Sequence, residues 1–317
     1  MRSFVAMLAL ALCTAAQAQP FPSRPVTIVV PYPPGGLIDL VARALQPFLQ
    51  TELGVSVLAE NHSGAGGNVG AEVVARSAPD GYTLLLANPS LAISPTLYKK
   101  LNYRPIEDFA YVGRYGSVAN VLVVNSSLPF KTAQELIAYA KSHPGKLNYG
   151  SPGYGTSPQL SSELFKTMTG TYIVHIPFRG AGPATAAMLG GDIEMMIDNI
   201  PPQVGNIKAG KVRALAVTSL KRQSVLPDVP TMDEIGLKGY EVTAFFGLAA
   251  RAGTPRETVM RLNTALNNAT RTPKLREILE SRGAVVVQGT PEDFTDFIKA
   301  EIAKFAPVIK RTGVQVE

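Results

Sequence analysis

Several turns in this chain are rich in glycine, proline and short polar residues, and each stands where an apolar run gives way to a helical pattern. That composition suits one kind of chemistry. Glycines let a ligand approach backbone N–H groups, prolines fix the shape of the turn, and the start of a helix offers donors with no partner of their own. Such a site neutralises an anion by hydrogen bonds and helix dipole, without needing a lysine. Ser151-Pro152-Gly153-Tyr154-Gly155-Thr156-Ser157-Pro158 adds the hydroxyls of Ser151, Thr156 and Ser157 and fits a carboxylate. Thr156 or Ser157 could equally do no more than cap the helix that follows, and the stretch leaves both readings open. Tyr32-Pro33-Pro34-Gly35-Gly36 is a second turn of this kind, with Asp39 early in the next helix. A carboxylate there complements a helix start more readily than it meets an anionic ligand.

Two further stretches are less specific. NHSGAGGNVG at 61–70 contains GxGGxxG from Gly64 to Gly70. A dinucleotide loop should follow the first strand directly and have an acidic residue about twenty positions on, so a tight turn with close helix packing is the better reading. HIPFRGAGP at 175–183 and MIDN at 196–199 supply Arg179, able to pair with an acid, and Asp198, able to meet an amine, a hydroxyl or a bridging water. Taken singly, each reads more readily as a surface or structural residue.

Catalytic patterns are poor. His62, His143 and His175 are scattered, and neither H-E-x-x-H nor G-x-S-x-G occurs. A Ser-His-Asp triad assembles in space rather than in sequence, but no positive motif points to one. No cofactor, metal or catalytic residue is expected.

The elements that must position these turns alternate in type. VTIVV precedes the first turn, and Leu40, Ala44, Leu45, Phe48 and Leu49 recur at helical spacing after it, followed by the strand-like VSVLAE. A helix is expected near Asn68 to Arg76, then the strand YTLLLA ending at Asn88-Pro89-Ser90. Val121 to Val124 forms another strand, and Thr132 with Glu135 makes a T-x-x-E capping box for the next helix. LNYGS, a helix near Pro158 to Met168, YIVHIPF, GDIEMMIDN and VRALAVTS continue the alternation. Thr254-Pro255, Thr272-Pro273 and Thr290-Pro291 each place a hydroxyl at a cap position and a proline at the first helical position. The last helix sets Phe294, Phe297, Ile298, Ile302 and Phe305 on one face. This is an α/β pattern. The length of 317 residues favours two domains, yet no linker separates them. Val118 to Asn125 and Tyr240 to Ala250 are the candidate crossings between lobes.

MRSFVAMLALALCTAAQA, residues 1–18, has the layout of a secretory signal peptide with an A-x-A cleavage site. Cys13, the only cysteine, leaves with it, so the mature chain has no disulfide or thiolate. Lipid attachment at Cys13 is disfavoured by Leu12, where a small residue belongs. The formal charge of +6 falls to +5 with the loss of Arg2. The basic residues form no patch, which argues against a nucleic-acid partner, and no later segment is apolar for long enough to span a membrane.

VTIVVPYPPGGLIDLVAR, ENHSGAGGNVGAEVVARSAPDGYTLL, GSPGYGTSPQLSSELF, VHIPFRGAGPATAAMLGGDIEMMIDN and IKAGKVRALAVTSLKRQSVLPDVPT occur in this order. Together they resemble the substrate-binding proteins of the tripartite tricarboxylate transporter family, also called Bug receptors. The resemblance implies a two-lobed periplasmic binding fold, type II-like, with a mixed sheet flanked by helices in each lobe. Such a receptor closes on a small organic carboxylate and delivers it to a membrane permease. Lobe 1 would comprise 19–120 with 242–317, and lobe 2 would be 121–241. The carboxylate would lie between the turn containing Tyr32, Pro34, Gly35, Gly36 and Asp39 and the turn containing Ser151, Gly153, Gly155, Thr156 and Ser157. Asn88 and Ser90 would approach from lobe 1, and Arg179 and Asp198 would line lobe 2. The chain is expected to act as a monomer. Gln159 stands where the family usually has histidine and Phe245 where it often has tryptophan. Leu37-Ile38 replaces small or polar residues, and the pair either walls the ligand or packs inward. Readings of a different class are a ligand-presenting sensor for a membrane signalling protein and a secreted hydrolase or isomerase.

Overall fold

In the computed structural model, residues 20–317 are described; the expected signal peptide and Cys13 lie outside the described residues. The opening apolar run is β1 (Val26–Val30), parallel to β2 (Val57–Asn61) on one side and β3 (Thr83–Ala87) on the other. Parallel strands are covered on both faces and so read as continuous apolar runs. Val26, Ile28 and Val30 pack with α1 (Leu37–Leu53), while Val29 points the other way, toward Ala71 and Val74 of α2 (Asn68–Ala75). Helix α1 buries Leu37, Ile38, Val41, Leu45 and Leu49 at helical spacing and ends at Gly54, whose φ of 73° suits glycine alone. A short 3₁₀ turn, Ala65–Gly67, precedes α2, and α3 (Ser90–Leu97) follows β3.

The long strand β4 (Phe109–Asn125) organises the rest. Through Ala119 it pairs antiparallel with β9 (Thr243–Arg251), with β10 (Ala284–Val286) also on this half. From Asn120 onward it pairs with β7 (Met195–Asn199) and β8 (Val212–Val217). Strand β7 continues to β5 (Asn148–Ser151) and β6 (Val174–Pro177), giving the path β2-β1-β3-β9-β4-β7-β5-β6. A ten-stranded mixed sheet thus changes partners within one strand, and each half carries its own cores. The helices on the second half are α4 (Ala133–Ser142), α5 (Ser157–Thr169), α6 (Ala181–Gly190) and α7 (Ile200–Lys208).

The chain then returns through β9 to α8 (Arg256–Arg271) and α9 (Pro273–Glu280), and after β10 to α10 (Pro291–Thr312). Helix α10 joins the halves: Phe294 and Ile298 pack in the β3/β9 core, whereas Phe305 and Ile309 pack with Leu122, Phe165 and Tyr240. The expected apolar face of this helix therefore serves two cores. The capping box at Thr132 and Glu135 forms as expected. Of the three Thr-Pro starts, only Thr290 caps its helix, by accepting from Asp293 N–H. The Thr254 hydroxyl donates instead to the Arg251 carbonyl at 2.7 Å, and Thr272 sits between two helices with its hydroxyl turned back toward Asn268. No helix among the described residues is long and apolar enough to cross a membrane.

Candidate ligand-binding site

The two halves face each other across a closed cleft, and its inner part is a cavity of about 40 Å³. Tyr32, Pro33, Gly36, Leu37, Ile38, Asn88 and Ala244 line it from the β1 side, and Pro152, Thr156, Ser157, Gly180, Ala181 and Asn199 from the other. Many of them stand at helix starts: α1 begins at Leu37, α5 at Ser157 and α6 at Ala181, and α3 and α7 follow Pro89 and Asn199 directly. Five helix N-termini converge on one small space. Each brings partial positive charge, and no charged side chain lines the cavity.

The hydroxyls and amides that drew attention in the sequence mostly build the turns. Thr156 donates to the Gly153 carbonyl at 2.8 Å and accepts from Gln159 N–H, which makes it the cap of α5. Ser151 is fully buried, accepts from Gly153 N–H and lies 2.7 Å from His175 Nε2. Asn88 donates to the Leu86 carbonyl and accepts from Ser90 N–H. Asp39 is buried beneath the first turn, where it accepts from Gly35 N–H, Arg43 and Asn61. By contrast, no protein acceptor among the described residues takes the backbone N–H groups of Leu37, Ile38, Thr156 or Ser157. The Ser157 hydroxyl accepts from Asn199 and keeps its own proton to donate.

An outer cavity of about 390 Å³ continues from the inner one past Tyr32, Pro33, Pro152 and Gly180. Gly153, Phe178 and Arg179 line it, and opposite them stands the segment Ser63 to Gly67. In the sequence that segment reads as a tight turn with close helix packing rather than a ligand loop, and its glycines explain its place here. Gly66 lies against the Tyr154 carbonyl so closely that a Cβ would collide, and Tyr32 donates to the Gly66 carbonyl at 2.8 Å. Across the inner cavity a Cβ on Gly180 would lie 3.1 Å from Pro33. Small residues thus permit the lobes to touch. Arg179 is exposed, is the only charged residue lining either cavity among the described residues, and forms no ion pair there.

Of the expected residues, Tyr32, Gly36, Asn88, Thr156 and Ser157 line the inner cavity, and Gly153 and Arg179 the outer one. Pro34, Gly35, Asp39, Ser90, Ser151, Gly155 and Asp198 line neither. Asp198 is wholly buried on β7 and held by Gln203 and Asn199 N–H. Burial raises its pKa to about 6, against the opposing effect of those two bonds. Leu37 and Ile38 belong to the α1 core and also line the cavity, so packing and ligand contact are not alternatives. Gln159 and Phe245 are buried away from it, Phe245 edge-on to Phe297 with ring centroids 5.1 Å apart. The Ser151–His175 pair does not open on either cavity. A larger hollow of about 600 Å³ lies far from the cleft, beside Thr132, and its Arg222 and Glu234 neutralise each other at 2.9 Å.

The chain matches the description "Tripartite tricarboxylate transporter family receptor" over residues 41–314. It belongs to that receptor family. Protein BugT of Bordetella pertussis is 36% identical over 324 residues, spanning 100% of this chain and 99% of BugT. A solved structure of Rpa4515 from R. palustris with adipate has 37% identity and a TM-score of 0.90, covering 93% of this chain and 99% of that one. The periplasmic binding protein BugD is 36% identical at a TM-score of 0.90, covering 94% of this chain and 100% of BugD. The protein is accordingly a solute-binding receptor of this periplasmic family, with the two-lobed α/β fold and interlobe cleft that the motifs implied.

Proposed function

We propose that the cleft holds a small organic carboxylate and that closure of the lobes presents it to a membrane permease. The observation that carries this reading is the convergence of five helix N-termini on a cavity without a charged side chain. An anion there gains charge-assisted bonds from N–H groups that have no other acceptor, each worth about 1.5–3 kcal/mol. Ser157 adds a hydroxyl donor. Tyr32, Pro34, Gly35, Gly36 and Asp39 shape one jaw, and Ser151, Gly153, Gly155 and Thr156 the other. Asn88 and Ser90 hold the end of β3, Asp198 supports the floor through Asn199, and Arg179 meets the outer end of the ligand. Leu37, Ile38 and Ala244 give the ligand's carbon frame an aliphatic wall. The adipate held by Rpa4515 combines these features, a carboxylate at each end of a methylene chain.

The partner exchange in β4 at Ala119 and Asn120 supports a division into lobe 1, 19–120 with 242–317, and lobe 2, 121–241. In this reading α3 and α10 cross the boundary, because Ile93 and Phe305 pack in the lobe 2 core. The mature receptor begins after a cleaved leader and acts as a monomer in the periplasm.

A thermal-shift screen of mature protein against dicarboxylates, tricarboxylates, amino acids and aromatic acids, followed by calorimetry, tests the ligand class. A ligand at ~100 times its Kd adds about 2.7 kcal/mol of stability. A shift with none of the carboxylates would refute the reading.

A further inference from the structure

The turn after β5 is held from behind by a series of hydrogen bonds that meet at Gly153 and end at His175. Gln159 N–H donates to Thr156 Oγ1, and Thr156 donates to the Gly153 carbonyl at 2.8 Å. Gly153 N–H in turn donates to Ser151 Oγ at 3.2 Å, and Ser151 Oγ lies 2.7 Å from His175 Nε2. In the first three bonds the hydrogens all point toward His175. The fourth completes the sequence only if Ser151 donates its proton to an unprotonated Nε2. Its other acceptor, the Gly153 carbonyl, is 3.4 Å away and already takes the Thr156 proton. The Thr156 bond ends on the 153–154 peptide and the Gly153 N–H belongs to the 152–153 peptide, so Gly153 joins two short runs and Ser151 links the second of them to His175.

His175 is itself firmly placed. Its ring stacks on Tyr149 of β5, with centroids 4.6 Å apart and planes 8° apart, and meets the edge of Tyr154 in the turn. Tyr154 also carries the carbonyl that contacts Gly66 across the cleft. The charged and titratable groups facing His175 are Tyr149, Tyr154, Glu163 and Lys166. Lys166 donates to both Glu163 oxygens at 2.9 Å, and Tyr149 donates to Glu163 at 2.5 Å. Their charges are therefore turned toward one another rather than toward the imidazole.

We propose that His175 is a positioning residue of the receptor: its neutral Nε2 is the terminal acceptor that locks the Ser151 hydroxyl, and through it the 151–159 turn, in the ligand-competent shape. Burial holds the imidazole pKa down to about 4, so His175 is neutral near neutral pH, where carboxylate ligands are ionised. Because His175 touches neither cavity, it acts on the ligand only through the turn. Only the binding arm of the following test rests on the carboxylate reading.

The test uses side-chain ¹⁵N NMR of the free protein, with His175 assigned by its loss in His175→Phe. Phenylalanine keeps the aromatic packing and removes the acceptor. The expected tautomer carries its proton on Nδ1 and a hydrogen-bonded lone pair on Nε2, and Ser151→Ala removes that signature. Amide exchange at Gln159 and Gly180, which bond within and beside the turn, should quicken about tenfold in His175→Phe, the value of one hydrogen bond. The double variant should exchange no faster than the faster single one. A proton on Nε2 in the wild type, or unchanged exchange in His175→Phe, overturns the proposal even if a variant proves unstable, because the tautomer is read on the native protein. In the binding arm, adipate affinity falls about tenfold in His175→Phe. Failure of the wild type to bind any carboxylate counts against the ligand class and leaves the exchange result to decide the role of His175.

Discussion

Asp198→Asn should shift the stability of the receptor in the variant's favour by an amount that grows with pH. Asp198 is fully buried on β7 and receives only two hydrogen bonds, from Gln203 at 2.7 Å and from Asn199 N–H at 2.8 Å. They do not offset the loss of water, and burial raises the carboxyl from its ordinary 3.8 to about 6. Between those values the folded chain binds the proton more tightly than the unfolded one. Its contribution is therefore fully present below about pH 3.8 and is lost as pH rises through 6. The difference corresponds to about 3 kcal/mol. Asparagine cannot ionise. The new amide must turn Gln203 about to find an acceptor, which adds an offset that does not depend on pH. Urea unfolding of both proteins from about pH 4 to about pH 7 isolates the effect, because every other titrating group is common to the two. The stability gap should widen by roughly 2–3 kcal/mol in favour of the variant across that range. A gap that stays flat, or narrows with rising pH, would refute the assignment of a raised pKa to Asp198.

Ser157→Ala and Thr156→Ala should separate ligand contact from capping. The first loses a free donor to the anion, and calorimetry with a bound carboxylate should show affinity falling roughly ten- to hundredfold. The second loses the α5 cap and should cost about 1 kcal/mol in urea unfolding with a smaller change in affinity. Lys166→Met strands Glu163, whose side chain is only 6% exposed, with Tyr149 as its remaining partner. It should destabilise the fold by about 3 kcal/mol in calorimetric unfolding near neutral pH. Gly36→Val sets a branched side chain where Cβ already meets Ala181 at 3.7 Å, at a φ of −81° that valine tolerates. It should wedge the lobes apart, lowering affinity and leaving the small-angle scattering profile unchanged when a carboxylate is added, whereas the wild type should compact, with little change in the melting temperature of the free protein.

The division of the chain into strands and helices was legible wherever burial imposes a period. VTIVV, YTLLLA and the α1 pattern carry that signal because their faces are committed to a core. Helices α3, α6 and α7 escaped because SLAISPTL, AGPATAAMLG and IPPQVGNIK contain proline, glycine or both, and α3 and α6 also show no broad amphipathic stripe. They are also three of the five helices that start at the cavity. Their early residues meet it as Pro89, Ala181 and Asn199, whose residue types carry little chemical signal.

The site itself inverts the usual relation between residue type and role. An anion held by backbone N–H groups needs side chains that stay out of the way, so Gly36, Gly180 and Ala181 stand beside the cavity because they are small. Polar side chains are needed one step back, where the turns must be fixed in shape. Asp39 under the first turn and Ser151, Thr156 and His175 under the second do that work. In the proposed site the turns singled out in the sequence offer backbone N–H groups and the Ser157 hydroxyl to the ligand, while Asp39, Ser151 and Thr156 hold the turns in shape. The consequence extends to specificity. If the turns supply a generic carboxylate grip, discrimination between ligands falls to the residues whose side chains do reach the cavities, and here those include the apolar pair Leu37 and Ile38 inside and Arg179 outside. A carbon chain is sorted by the first two through shape and desolvation, and its far end by the third through charge, so changes at these positions should alter ligand preference while leaving the helix-start grip intact.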